Sequence, residues 1–271
     1  ARITPAEPRV GEGMVRDHVA LAHHALHDLG RGPHEDDALA GARARYEERL
    51  DIVQRLAAAD PTSASLRESV RRSLADVGDV MVDQGDTSGG RVRHEQSLDI
   101  ARSLAAEDPS SASLQHGLSI SLERIGYVLG LEGDLDAARV HYEESLGIAR
   151  RLAAGDPTSA AAQHLFRMVL NNVGDVLLTQ GDLAGARARY EESLRIAQRL
   201  AAADPSSASL QRDLIMSYVR MTDATGELSY MRSALDVALA MQTRGILAPS
   251  DAWMVSDLRQ RAGQSTLDRA K

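Results

Sequence analysis

Paired glutamates recur along this chain as Glu47-Glu48, Glu143-Glu144 and Glu191-Glu192, with Glu95-Gln96 in the fourth place. Adjoining carboxyl groups suggest acid/base chemistry, in which one acid stays protonated while its neighbour is ionised, but that division needs unequal environments in one cleft. These pairs instead return every 48 residues beside arginine-rich segments, so they read as solvated or inter-repeat ion pairs. Histidines gather near the start as His18, His23, His24, His27 and His34, five of the nine. His23 and His27 stand one helical turn apart, a spacing that can hold a metal, yet no third ligand is close by unless Asp28 or a distant carboxylate supplies it. The cluster therefore reads as surface or groove lining, with a pH-sensitive contact as the alternative.

Other chemistries lack their residues. No cysteine is present, which excludes disulfides, thiolate metal sites and a cysteine nucleophile. The stretch GEGM (11–14) has neither the Lys-Ser/Thr ending nor the preceding strand of a phosphate loop. Neither a Gly-x-Ser-x-Gly elbow nor a His-Glu-x-x-His pair occurs. The sequence thus assigns no catalytic residue, no metal and no cofactor, and points to a protein that is not an enzyme.

Charge and hydropathy narrow the partners. Over 271 residues the net charge is -8, and Lys271 is the only lysine among 31 basic residues. That balance argues against nucleic acid. No run of about 18 apolar residues occurs and ARITPAEPRVGEG lacks a signal-peptide core, so a soluble cytoplasmic protein without membrane contact is expected. The missing initiator Met suggests a processed or excised chain. Aromatic residues make up only 3%, and the apolar content is mainly Ala, Leu, Val and Ile, which favours closely packed helices.

The elements follow from a repeat. Asp60-Pro61, Asp108-Pro109, Asp156-Pro157 and Asp204-Pro205 are each 48 residues apart, and Leu50, Leu98, Leu146 and Leu194 keep the same phase. Such a period marks stacked supersecondary units. Within one unit Ala186, Tyr190, Leu194, Ala197 and Leu200 lie on one helical stripe, while Arg187, Glu191 and Arg195 on the other face are spaced for i,i+4 ion pairs. Proline stops that helix near Asp204-Pro205, and Ser206 or Ser207 caps the next. The preceding helix, roughly Ala160 to Gln180, buries Leu165, Val169 or Leu170, Val173 and Leu177, ends at a left-handed Gly181, and leaves Asp182 to cap its successor.

The segment NVGDVLLTQGDLAGARARYEESL (172–194) resembles the tetratricopeptide repeat: Val173-Gly174, the Gly-Asp-Leu turn at 181–183, then Ala186 and Tyr190. The pattern returns at Val77-Gly78 with Gly85-Asp86 and at Ile125-Gly126 with Gly133-Asp134, Ala138 and Tyr142, and a half-match at LHDLG (26–30) precedes them. The resemblance covers roughly residues 14–241, with a unit longer than the family's usual length of about 34 residues. It implies an all-α solenoid of stacked antiparallel helical hairpins. The expected layout is a tail over 1–13, a repeat domain over 14–249 beginning with a helix at 14–30 and keeping the period to about 222, and a capping helix and tail over 250–271. The last repeat is shortened, its helix at 226–242 arriving about seven residues early; Ser250 would cap the final helix, and Trp253, Met254, Val255 and Leu258 would pack. Because His94 replaces the repeated tyrosine and GDTSGG (85–90) replaces a tighter turn, the second unit is expected to be a weak joint.

The resemblance also implies a partner-binding face on the first helix of each hairpin. Carried over by position, it comprises His24, His27 and Arg31; Arg72, Ala75, Asp79 and Val82; Ile120, Glu123 and Tyr127; Met168, Asn171, Asp175 and Leu178; and Met216, Val219 and Asp223. These differ between copies while the Leu, Ala, Gly and Tyr positions stay constant. An adaptable apolar strip interrupted by acids fits an apolar peptide or helix carrying Arg or Lys. The function implied is a non-catalytic protein-interaction scaffold; the alternative is a regulatory signalling-peptide sensor of a larger bacterial protein that switches conformation on binding.

Overall fold

A computed structural model describes residues 33–267, with side chains over 38–263. Among them the chain forms ten helices: α1 (Pro33–Ala59), α2 (Ala64–Asp83), α3 (Thr87–Glu107), α4 (Ala112–Leu131), α5 (Leu135–Gly155), α6 (Ala160–Thr179), α7 (Leu183–Ala203), α8 (Ala208–Thr225), α9 (Leu228–Thr243) and α10 (Ala252–Leu267), the last preceded by a single 3₁₀ turn over Pro249–Asp251. Each packs on its neighbours in sequence, and α4 also touches α6, so the even-numbered helices form one layer and the odd-numbered ones the other. This is the expected all-α solenoid of antiparallel hairpins. None of the described helices is long and apolar enough to cross a membrane.

Local chemistry sets the helix ends. Ser63, Ser111, Ser159 and Ser207 each accept a hydrogen bond from the backbone N–H three residues ahead, at 3.2–3.4 Å, and start the even-numbered helices. Asp86, Asp134 and Asp182 do the same for α3, α5 and α7 at 2.9–3.1 Å. The cap of α8 is thus Ser207, while Ser206 bonds the Asp204 carboxylate. Gly85, Gly133 and Gly181 reverse the chain at φ of 86°, 85° and 82°, values that any side chain would strain. A recurring glutamine adds a clamp: the Nε2 groups of Gln115, Gln163 and Gln211 donate to the Ala105, Ala153 and Ala201 carbonyls, near the end of the preceding helix.

Packing depends on rings set over glycines. A Cβ placed on Gly126 would lie 2.7 Å from Tyr142 Cε1, one on Gly174 would overlap Tyr190 with Cδ1 at 2.8 Å, and one on Gly78 would meet His94 Cε1 at 2.6 Å. Those rings are almost wholly buried, Tyr142 at 6% and Tyr190 at 1% exposure. Residues from Leu98 to Met221 join one continuous core, and Ile215, Met231, Met241, Val255 and Leu258 form a second under the C-terminal helix. On α1 the counterpart positions Tyr46, Ile52 and Leu56 are 36%, 45% and 50% exposed. The sequence that would face them, including Gly30 and the expected helix 14–30, lies outside the described residues.

Three expectations change. The turn after α2 is not loosened: Gly85 has the same backbone as its counterparts and Asp86 caps α3. Glycines there draw the helices together, since a Cβ on Gly90 would lie 2.5 Å from Val82 Cγ2 and 2.9 Å from the Gly78 carbonyl, where Ala138 and Ala186 stand in later copies. A slimmer ring and a missing methyl accompany one another. Near the C-terminus α9 begins three residues ahead of the period set by Leu183 rather than about seven, and it is shorter, with 16 residues against 21 in α7. Finally, Ser250 lies inside the 3₁₀ turn and Trp253 is 56% exposed, whereas Met254, Val255 and Leu258 are buried as expected.

Replacing Gly90 by Ala, which imports the residue of the other copies, is expected to destabilise the fold by about 1–3 kcal/mol, because the added methyl meets backbone that cannot rotate away. Urea denaturation measures this; unchanged or raised stability contradicts the close approach.

Candidate functional site

The even-numbered helices carry the candidate face, and side chains link them like rungs. Asp79 of α2 accepts from Arg124 Nε of α4 at 3.0 and 3.1 Å. Glu123 of α4 accepts from Asn172 Nδ2 of α6 at 3.0 Å. Asp175 of α6 accepts from Arg220 Nε and Nη2 of α8 at 3.1 and 3.3 Å, and Asp223 of α8 pairs with Arg261 of α10 at 3.4 Å. Two rungs also reach the rings: Tyr190 Oη donates to Asp175 at 2.6 Å, and His94 Nε2 lies 3.4 Å from Asp79. In the middle copy Tyr127 stands where Asp79 and Asp175 stand, so Tyr142 lacks that carboxylate acceptor.

This network sorts the predicted residues. The acids Asp79, Glu123, Asp175 and Asp223 all bond to partners within the chain. Arg72 is exposed and pairs with Glu68 on its own helix at 2.8 Å. Tyr127, Met168, Leu178 and Met216 are half-buried and present apolar surface between the rungs. Asn171 is 5% exposed, with its side-chain oxygen lacking a hydrogen-bond partner, and Ala75 and Val219 at the equivalent position belong to the core rather than the face. His24 and His27 fall outside the described residues.

Electrostatics follow from burial and pairing. Burial raises the Glu123 pKa, with the Arg124 charge opposing it. Burial opposes the charge of Arg220, but Asp175 beside it outweighs that cost and holds its pKa above the usual value. Burial pushes the Tyr190 hydroxyl up, and the Asp175 carboxylate adds to the effect. His94, 2% exposed, falls to about 4 because burial disfavours its cation more than Asp79 favours it. Two more arginines are buried on this layer: Arg71 binds Glu68 at 2.7 and 2.8 Å, and Arg167 pairs with Asp213 at 2.7 Å.

The arginine ends of the rungs were missed from sequence, although a signal exists: Arg124 and Arg220 each follow by 45 positions an aspartate placed directly after a slot glycine. The paired glutamates do make ion pairs: Glu143 meets Arg189 at 3.4 Å, Glu144 meets Arg102 at 3.0 Å, Glu191 meets Arg187 at 2.7 Å and Glu192 meets Arg150 at 3.2 Å. Among the described residues no group of three or more His, Asp or Glu side chains is placed to hold a metal.

Two outcomes test the geometry. Asp175→Ala strands a tyrosine hydroxyl and a guanidinium together, and should cost about 2–3 kcal/mol in denaturant unfolding, whereas Asp99→Ala on an exposed face should cost little. For His94 the neutral form belongs to the fold, so its contribution is complete above the unfolded value of 6.5 and is lost as pH falls toward 4. An NMR titration should give His94 a pKa near 4; an ordinary value would show that the ring is not enclosed as described.

The sequence model of the tetratricopeptide repeat matches residues 167–205, which contain most of α6 and all of α7. No curated protein matches the chain. Among solved structures, BtubC (BKLC) from P. vanneervenii is similar at a TM-score of 0.58 and 19% identity, covering 86% of this chain and 89% of that one. The apo form of RapI is similar at a TM-score of 0.50 and 14% identity, covering 95% of this chain and 86% of that one. These likenesses concern the fold. The hairpin of α6 and α7 thus matches the tetratricopeptide repeat, and its slot glycines, rings and Gly-Asp turns return in the neighbouring units, so the described chain is a stack of tetratricopeptide-like hairpins.

Proposed function

We propose that the chain is a non-catalytic protein-interaction scaffold that holds a peptide or helix of a partner along the even-numbered helices. The observation that carries this reading is the division between constant and variable positions. Slot glycines, rings and capping acids repeat because they close each hairpin, whereas Met168 and Met216 share one position on successive even-numbered helices where Ile120 stands in the preceding copy. All three are half-buried, and Leu178 and Tyr127 extend the apolar strip. Unbranched thioethers adapt to differently shaped side chains, which suits them to this use.

Charge refines the partner. The rung acids are engaged internally, so the face is a set of fixed dipoles more than an open row of carboxylates. Asp79 keeps 43% of its side chain exposed beyond Arg124 and is the acid best placed to meet an incoming Arg or Lys. A net charge of -8 steers the same kind of partner. The ligand is therefore an apolar segment with interspersed basic residues, and nucleic acid is disfavoured.

Selection of displayed random peptides on the whole chain tests this. Binders should share apolar residues with Arg or Lys between them, and M168E/M216E should weaken them about tenfold or more while retaining the helical circular dichroism. A selection yielding only peptides indifferent to both substitutions rules the face out.

A further inference from the structure

The odd-numbered layer carries a surface of opposite character. Helices α4 and α6 touch, whereas α3 and α5, and α5 and α7, are bridged by the long pairs Arg102–Glu144 and Arg150–Glu192 at 3.0 and 3.2 Å. The space beneath the second bridge remains open where the start of α6 forms the floor. Between α5 and α7 it is a cleft of ≈ 440 Å³, and one repeat later, between α7 and α9, its counterpart is ≈ 280 Å³.

The two clefts differ in charge. In the smaller, Arg244 turns to the Pro205 carbonyl at 3.1 Å and Gln198 stands where Arg150 stands in the other. The larger holds three guanidinium groups against one carboxylate. Glu192 takes Arg150, which also lies 5.5 Å from the centre of the Phe166 ring. Arg199 donates to the neutral Gln163 amide oxygen, and among the described residues Arg195 forms no ion pair, its expected i,i+4 partner Glu191 being held by Arg187. Two positive charges thus stay without a counter-charge on an acidic protein. The repeat does not require this: the positions equivalent to Arg195 are Asp51, Asp99 and Gly147. Phe166, Ile196 and Pro157 give the cleft an apolar base.

We propose that this cleft docks an acidic peptide segment of a partner protein, with carboxylates meeting Arg195 and Arg199 and an apolar side chain resting against Phe166 and Pro157. The cleft uses none of the residues of the apolar strip around Met168 and Met216, so both can be filled at once. Arg195 and Arg199 are one helical turn apart, which admits two acidic groups from one ligand and favours a doubly charged segment over a single carboxylate.

Fluorescence anisotropy with a fluorescein-labelled peptide of Glu and Leu, titrated with the whole chain, tests the proposal. Binding should be saturable and weakened by salt; R195E/R199E should lower the affinity about tenfold or more, while M168E/M216E leaves it unchanged. The uncharged Gln and Leu counterpart should not bind. Both substituted arginines are exposed, so a circular-dichroism melt like that of the wild type verifies that the fold persists. Failure of the acidic peptide to bind, equal affinity in R195E/R199E, or equal competition by inorganic polyphosphate would each overturn the proposal, the last by showing a bare anion site.

Discussion

The structure depends on an aromatic ring lying where a side chain is missing. Burying a tyrosine ring of roughly 150–250 Å² is worth about 4–6 kcal/mol by area, far above the tenths supplied by an exposed ion pair. Tyr142 and Tyr190 can reach that burial only because Gly126 and Gly174 leave no Cβ beneath them, and each such contact fixes how closely the two helices of a hairpin approach. The hairpin geometry then places the next unit, so one local exclusion propagates along the stack. The second unit follows the same constraint with smaller parts: His94 replaces the phenol, and Gly90 removes the methyl that would hold α2 and α3 apart.

A buried ring with a polar tip needs a partner for that tip, and this connects packing to the candidate face. Tyr190 finds Asp175, which lies beside the slot glycine and still has lone pairs for Arg220 on the next unit. The ring, the acid and the guanidinium therefore join within-hairpin packing to between-hairpin registry. At the centre, Tyr127 stands in the acid's place and Glu123 bonds the neutral Asn172, so the regular rung is replaced by a less charged one. The variable residues are consequently of two kinds: some stitch copies together, and others, such as Met168 and Met216, stay half-buried with apolar surface exposed.

The hairpins, their caps and the left-handed turns were legible in the sequence because each rests on residues close together in the chain and repeated in phase, as with Ser159, Gly181 and Asp182. The rungs were less legible. Asp175 and Arg220 are separated by 45 positions, and nothing local to either tells whether the charge meets solvent, a ligand or the next helix. Asn171 shows the same limit, since the position that is exposed in one solenoid geometry is enclosed here. Breaks in the period were also hard to place: α9 starts three residues ahead of the repeat rather than about seven, because its apolar pattern alone does not mark which turn the helix begins on.

The same geometry explains why the two layers differ as surfaces. Short acids and arginines span successive even-numbered helices, which fills that side with paired charge and leaves the apolar strip as its variable part. Among the described residues, long Arg–Glu pairs cross between the odd-numbered helices, and a cleft persists below the pair between α5 and α7. Charge excess survives in this cleft because its one lining carboxylate, Glu192, is held by Arg150 and the neighbour of Arg199 is the neutral Gln163. Arg195 takes that position in one copy, whereas Asp51, Asp99 and Gly147 take it in the others, so the contrast lies in the sequence of a single outer helix rather than in the repeat that builds the stack.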